Sequence, residues 1–114
     1  MNYDLEERTI KFAEKIIDLC KKVQQNPFTI PIITQLIKAG TSIGANYAEA
    51  NGASSKRDFK NKIFICKKEA RETKYWLRLL THAVPSLEEE CTSCFKEAQE
   101  ITLIFSKIAQ STKV

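Results

Sequence analysis

Apolar residues recur at alternating steps of three and four along most of the chain, the spacing that places them on one side of an α-helix. One unbroken series comprises Phe59, Ile63, Cys66, Ala70, Thr73, Leu77 and Leu80. A second comprises Leu87, Cys91, Cys94, Ala98, Ile101, Phe105, Ile108 and Thr112. Each series keeps a heptad register throughout, which predicts two long helices that each pack along a seam.

Two more helices are predicted before these. The first carries the seam Phe12, Ile16, Leu19 and Val23, with a neighbouring seam of Ile10, Ala13, Ile17 and Cys20. Two adjacent seams predict a broad apolar face that touches two neighbouring helices. The next helix carries the seam Ile33, Leu36, Gly40, Ile43, Tyr47 and Ala50. Glycine inside a helix costs about 1 kcal/mol relative to alanine, so Gly40 and Gly44 indicate a close neighbour.

Capping and turn residues set the predicted helix bounds at 5–24, 30–50, 55–83 and 86–112. Asn26-Pro27 ends the first helix, and Pro31 is tolerated in the first turn of the second. Asn51-Gly52 ends the second helix. Ser55 caps the third helix and Pro85 ends it, and Ser86 with Glu89 is a capping box for the fourth. The short connections predict an all-α, antiparallel, up-down-up-down four-helix bundle forming one domain, 1–114.

Composition agrees with a small soluble protein. The 114 residues include only three glycines and three prolines, so few turns separate long elements. The N-terminus is acidic and polar without the apolar segment of a signal peptide, which favours a cytoplasmic location. The uncharged stretch 26–37 contains two prolines and is too short to cross a bilayer, so no membrane association is expected.

The four cysteines leave two interpretations, a metal or redox site and core thiols. Cys91-x-x-Cys94 would need further zinc ligands, and His82 is the only histidine. Core thiols are favoured, with no metal and no cofactor. A positioned catalytic constellation is also missing, so no enzyme is predicted. Asn46 and Glu49 are expected to form a buried polar pair, with a hydrogen bond between helices favoured over catalysis.

Charge is distributed unevenly. Residues 56–78 contain nine basic and three acidic residues, a net +6, whereas the whole chain is +4. On a helix, five of the basic residues share one sector beside the core seam. These five, called the basic ridge below, are Lys60, Lys67, Arg71, Lys74 and Arg78. The ridge suits a nucleic-acid phosphate backbone, with Phe64 as a stacking face, and the alternative is an ordinary solvated surface.

The same helix carries another apolar stripe away from its heptad seam. This second stripe consists of Ile65, Trp76, Leu79 and Ala83, interrupted by Glu69 and Glu72. One helix of a four-helix bundle does not need two apolar faces. The favoured hypothesis is an oligomer interface at Ile65, Trp76 and Leu79 with the tryptophan as anchor, and the alternative is a bundle that wraps further around this helix.

Three segments carry a family resemblance. They read Ser-Ile-Gly-Ala-Asn-Tyr-x-Glu-Ala over 42–50, Ser-x-x-Asp-Phe over 55–59 and Lys-Glu-Ala-x-Glu-Thr-x-Tyr-Trp-Leu over 68–77. The small and polar positions of the first are not what a generic amphipathic helix requires. Over residues 3 to 108, the chain resembles the bacterial four-helix-bundle family of 23S rRNA intervening-sequence proteins, also called S23-type proteins.

This resemblance implies a cytoplasmic, RNA-linked homopentamer without known catalysis. Such proteins look like the accessory subunit of diversity-generating retroelements, a pentameric ring whose basic surface binds nucleic acid and a reverse transcriptase. Two hypotheses follow. The first is a homo-oligomeric protein that binds RNA or the ribosome through the basic ridge. The second is a protein-interaction scaffold or accessory subunit, with a partner such as a reverse transcriptase, that does not bind nucleic acid.

Overall fold

The computed structural model describes residues 2–114, so Met1 of the predicted domain lies outside it. The four helices are α1 (Asn2–Lys21), α2 (Thr29–Asn51), α3 (Lys56–Ala83) and α4 (Glu88–Ser111), with a 3-10 turn at Pro85–Leu87. Over residues 2–114 there is no strand, and each helix contacts its neighbours in sequence while α4 returns to α1. The predicted all-α, up-down-up-down bundle is confirmed.

Both heptad seams form the core. On α3 every seam residue from Ile63 to Leu80 is buried, and on α4 the same holds from Cys91 to Phe105. Thr73 is fully buried without an orphaned hydroxyl, because its Oγ1 donates to the Glu69 carbonyl at 2.7 Å. The Tyr47 and Phe105 rings meet edge to face at 5.5 Å, which joins α2 to α4 across the bundle centre.

The predicted second seam of α1 is wrong. Phe12, Ile16 and Leu19 are buried, but Ile10 and Ile17 are 46% and 38% exposed. At about 100° per residue, these two isoleucines point well over 90° away from the centre of the buried stripe. On the other flank α1 meets α4 through polar side chains instead. The helix therefore needs one apolar stripe, with only Cys20 buried from the second seam.

Three predicted helix ends differ from the structure by more than one residue, and the first is the start of α1, at Asn2 instead of residue 5. α1 ends at Lys21 because the backbone hydrogen bonds change there from a spacing of four residues to three. The N–H groups of Lys22 and Val23 donate to carbonyls three residues earlier. Val23 is still buried, just outside the helix. The Ser86 capping box is wrong, because Pro85 starts a 3-10 turn in which Leu87 N–H donates to the Val84 carbonyl at 2.9 Å. Leu87 is buried there, and α4 starts one residue later.

Other boundary signals are confirmed. The Ser55 hydroxyl accepts a hydrogen bond from Asp58 N–H at 3.0 Å, and Pro31 lies in the first turn of α2. α2 ends at Asn51, although Gly52 has a φ of −99° that any residue adopts. The Asn26 side chain also caps the start of α2, since its Oδ1 accepts from the backbone N–H of Phe28 and Thr29.

The close neighbour predicted at the two helical glycines is α1. A Cβ placed on Gly40 would lie 3.0 Å from Ile16 Cγ1, and one on Gly44 would lie 2.9 Å from Thr9 Oγ1. Both neighbours are buried, β-branched side chains of α1. The missing side chains of α2 therefore let the two helices approach.

Candidate nucleic-acid interface on helix α3

Helix α3 is the longest helix described, with 28 residues, and presents different chemistry on each flank. Its heptad seam faces the core. The flank toward α4 carries the basic ridge, and the flank toward α2 carries the second stripe. This separation follows from the 3.6-residue period, which spreads the residues between seam positions over the outer half of the helix.

The members of the basic ridge differ in exposure. Arg71 and Arg78 are exposed, whereas Lys60, Lys67 and Lys74 are half-buried. Lys60 Nζ lies 6.0 Å from the centre of the Phe64 ring, so its stem follows the helix surface. Half-buried lysines whose stems cover apolar surface keep their ammonium groups toward water. The ridge thus places five positive charges along one flank of α3, with Phe64 between Lys60 and Lys67.

Lys74 is partly committed to the neighbouring helix, which the sequence did not reveal. Its ammonium donates to Gln99 Oε1 and lies 5.9 Å from the centre of the Phe95 ring. Both partners belong to α4. Lys74 therefore tethers α3 to α4 as well as adding charge to the ridge.

A shallow groove of about 500 Å³ lies on the outer face of α3. It is lined by Phe64, Lys67, Lys68, Arg71, Glu72 and Tyr75. Phe64 and Tyr75 are 47% and 56% exposed, so both rings are open to solvent. The Tyr75 ring meets the Trp76 ring edge to face at 4.9 Å. Sequence reasoning found Phe64 but missed Tyr75, although the eleven-residue spacing between them was the available signal.

The side chains of the second stripe are partly buried and partly exposed. Ile65, Leu79 and Ala83 are half-buried, and Trp76 is half-buried and packs against the core. Glu69 is half-buried in this stripe, and burial, with a smaller effect of nearby Glu72, raises its pKa. Other residues of the same bundle therefore cover part of each stripe side chain, and the remaining part is exposed to solvent.

The predicted Asn46–Glu49 pair is wrong. The Asn46 amide donates to the Ser42 carbonyl one turn earlier in its own helix, at 2.8 Å. Glu49 is exposed and pairs with Lys62 of α3, with 2.7 Å between Oε1 and Nζ. This hydrogen bond raises the pKa of Lys62. The four-residue spacing favours the backbone bond because the carbonyl of residue 42 lies directly below the amide.

The four cysteines are free and buried, so the prediction of core thiols is confirmed. Burial raises the pKa of Cys20 and Cys94 to about 11 and that of Cys66 to about 12. Such thiols stay protonated and unreactive at neutral pH. Over the described range 2–114, no cluster of three or more His, Cys, Asp or Glu side chains is placed to hold a metal ion.

His82 lies exposed in the last turn of α3. No helix within residues 2–114 combines the length and apolar character that a bilayer crossing needs.

Helix α4 carries the opposite charge. It begins with Glu88, Glu89 and Glu90 and continues with Glu97 and Glu100, against only two lysines. These glutamates are mostly exposed, and Glu97 is half-buried against Arg8 of α1. The net positive charge of the bundle is therefore concentrated on α3, since glutamates of α4 pair with Arg8 and Lys22. A polyanion would meet α3 preferentially.

The fold and the surface together define a small up-down-up-down four-helix-bundle protein with one basic helix. A family model described as 23S rRNA-intervening sequence protein matches residues 1–107. The chain belongs to this family. No curated protein sequence matches the chain.

A solved structure supports the same assignment. It is the crystal structure of a protein of unknown function from the S23 ribosomal protein family of Bacteroides thetaiotaomicron VPI-5482. That protein is 34% identical in sequence to this chain, with a TM-score of 0.83. The match covers 93% of this chain and 98% of that one. The family resemblance found in the sequence is therefore confirmed.

Proposed function

We propose that this protein is a non-enzymatic, cytoplasmic RNA-binding protein that contacts RNA phosphates through the basic ridge of α3. The observation that carries the proposal is the alignment of five cationic side chains on one flank of a single helix. The family description, which names 23S rRNA, agrees with an RNA-linked role.

The ridge has the physical properties that backbone contact requires. Exposed arginines such as Arg71 and Arg78 offer planar guanidinium groups that match phosphate oxygens. The half-buried lysines are already partly ordered, so binding fixes less side-chain freedom. Phosphate contacts carry no base information, so the ridge sets affinity and position but not sequence preference.

We also propose that the protein is a homo-oligomer, pentameric as in the family it resembles, assembled through Ile65, Trp76 and Leu79. Half-buried apolar side chains retain area that a second copy can cover. The second stripe flanks α2 while the ridge flanks α4, so self-association leaves the ridge accessible. A ring of such subunits would repeat the ridge and raise affinity through multivalency.

Charge reversal tests RNA binding most simply. Lys67→Glu, Arg71→Glu and Arg78→Glu together should weaken binding of a single-stranded RNA by at least about 100-fold, or about 2.7 kcal/mol. Lys74 is left intact because its contacts with Gln99 and Phe95 hold α3 against α4. Fluorescence anisotropy would measure the affinity, and thermal melting by circular dichroism would verify the fold.

The matched control reverses three exposed lysines, one on each of the other helices, Lys11, Lys38 and Lys107. This variant has the same net charge but an intact ridge, so its affinity should fall far less. Equal loss in both variants would mean that total charge, and not the ridge, determines binding. If the ridge variant binds as well as the parent, the interaction-scaffold hypothesis replaces this proposal.

A further inference from the structure

Two aromatic rings are exposed on the outer face of α3 where a solvated helix would carry polar side chains. Phe64 is 47% exposed and Tyr75 is 56% exposed, and both line the groove. The rest of its lining is three cations and one carboxylate, Lys67, Lys68, Arg71 and Glu72, so the groove is net positive. The heptad seam does not need these rings, since it is filled from Ile63 to Leu80. Both rings are therefore available to contact a partner outside the bundle.

The helix period places both rings on one line. Phe64 and Tyr75 are eleven residues apart, which is three turns plus about 20°, and about 16 Å along the axis. Lys67 and Arg71 lie between them at successive turns of the same face. The face therefore alternates an aromatic ring, two cations and a second aromatic ring.

Each ring also has an aromatic or cationic neighbour. Tyr75 meets Trp76 edge to face at 4.9 Å, and Trp76 is itself packed against the core. Lys60 Nζ lies 6.0 Å from the Phe64 ring centre, where its charge adds to any stack on that ring. Rings that are ordered before binding lose little freedom when a planar group stacks on them.

Planar bases and phosphates together match this face. Bases of a single strand are free to stack on aromatic side chains, while the cations between the rings meet the backbone. Paired bases in an RNA duplex stack on each other and offer only phosphates and a shallow groove. An apolar protein segment would desolvate Lys67 and Arg71 without neutralising them, which is unfavourable.

We infer that the α3 groove binds single-stranded RNA, with unpaired bases stacking on Phe64 and Tyr75 and the backbone crossing Lys67 and Arg71. This inference rests on the proposed RNA-binding function and specifies the class of RNA. It also assigns a role to Tyr75 that charge patterning alone does not give.

The test compares the parent protein with Phe64→Ala/Tyr75→Ala on three labelled probes. The probes are oligouridine, a fully paired RNA duplex, and an abasic ribose-phosphate strand that keeps the phosphates but lacks bases. The double variant should bind oligouridine at least about tenfold more weakly. Its affinity for the duplex and for the abasic strand should stay within about twofold of the parent, because the cations remain.

Two controls make the result specific. Phe28→Ala removes a ring that is 78% exposed on the α1–α2 connection, outside the groove, and should leave all three affinities unchanged. Phe64→Tyr/Tyr75→Phe keeps both rings and should restore oligouridine binding.

Because Trp76 is the only tryptophan and touches Tyr75, oligouridine should also change the tryptophan emission of the unmodified protein, which requires no variant.

The possible failures are distinguishable. If oligouridine binds the parent and the ring variant equally, stacking is overturned while ridge binding stands. Equal losses on oligouridine and the abasic strand would also overturn stacking, since the rings would then act without bases. If the parent binds none of the probes, the proposed function fails together with this inference.

Discussion

Gly44 and Thr9 mark a point of very close approach between α2 and α1. The Thr9 hydroxyl donates to the Glu6 carbonyl at 2.7 Å, and its side chain is almost fully buried. A methyl group on Gly44 would lie 2.9 Å from that hydroxyl oxygen and 3.2 Å from Thr9 Cβ. A stiff, hydrogen-bonded, β-branched side chain cannot move aside easily.

Gly44→Ala should therefore destabilise the protein by about 1–3 kcal/mol, although alanine favours helix by about 1 kcal/mol. Urea unfolding would measure the free energy of unfolding. Gly52→Ala is the matched control, because its Cβ would have no neighbour nearer than 3.8 Å and its φ is −99°. Adding Thr9→Ala to Gly44→Ala should recover part of the loss. A Gly44→Ala variant as stable as the parent would contradict this packing.

Residue burial was predictable only where one pattern dominated. The heptad positions of α3 and the two helical glycines follow from spacing and from the cost of glycine. Ile10 and Ile17 look equally buried in sequence, but which of two seams faces the core depends on where the neighbouring helices sit. The partial burial of Lys74 depends on Gln99 of another helix, which spacing within α3 does not reveal.

At the scale of elements, polar side chains hold α1 against α4. The Arg8 guanidinium donates two hydrogen bonds to the Glu97 carboxylate, at 2.8 and 2.9 Å, and also pairs with the Glu100 carboxylate. Lys15 donates to Ser93, and Lys22 Nζ lies 3.5 Å from Glu90. A bidentate pair fixes the helices in register as well as attracting them.

This network predicts a specific pH dependence. The hydrogen bond from Arg8 lowers the pKa of Glu97 below its ordinary value of 4.5. The stabilisation by this pair should therefore be complete above about pH 4.5 and should disappear as the pH falls through the lower folded-state pKa. Glu97→Gln should cost at most about 1 kcal/mol at neutral pH, because the pair is partly solvated.

Thermal melting of the parent and of Glu97→Gln across the acidic range would test this. Glu69 has the opposite shift and is present in both proteins, so the difference between the two isolates Glu97. The difference should shrink on acidification. A difference that stays constant from neutral to strongly acidic pH would contradict the role of this ion pair.

Helix number, order and pairing were predictable because two unbroken heptads and short connections leave few alternatives. Helix ends were less predictable. Ser86 with Glu89 matches a capping box, but Pro85 and the burial of Leu87 favour a 3-10 turn instead. Here the burial of Leu87 determines where α4 begins, and the local capping signal at Ser86 does not.

At the scale of the whole molecule, the second stripe predicts self-association. Leu79→Asp should lower the oligomer order in sedimentation velocity while the far-UV helix signal stays intact, because Leu79 is only half-buried. Trp76→Ala should have the same effect, with some loss of stability since Trp76 also packs against the core. Leu103→Asp, at a side chain 57% exposed on α4, is the control. Unchanged sedimentation in both stripe variants would show that the stripe belongs to the monomer alone.

The charge asymmetry of the molecule was visible in sequence, since a net +6 over residues 56–78 needs no structure. The pairing of Glu97 and Glu100 with Arg8 was not, because these residues are about ninety positions apart in sequence. The groove between Phe64 and Tyr75 also required the structure, because exposure and not residue type makes those rings available.

The most direct test of the central claim is the salt dependence of RNA binding. If all five ridge side chains meet phosphates, the log–log slope of affinity against salt should be about −3.5 for a single strand, from about −0.7 per contact. In the Lys67→Glu/Arg71→Glu/Arg78→Glu variant, which loses three contacts, this slope should be less negative than in the parent by about 2. A slope near zero for the parent, or the same slope in both proteins, would contradict phosphate binding by the basic ridge.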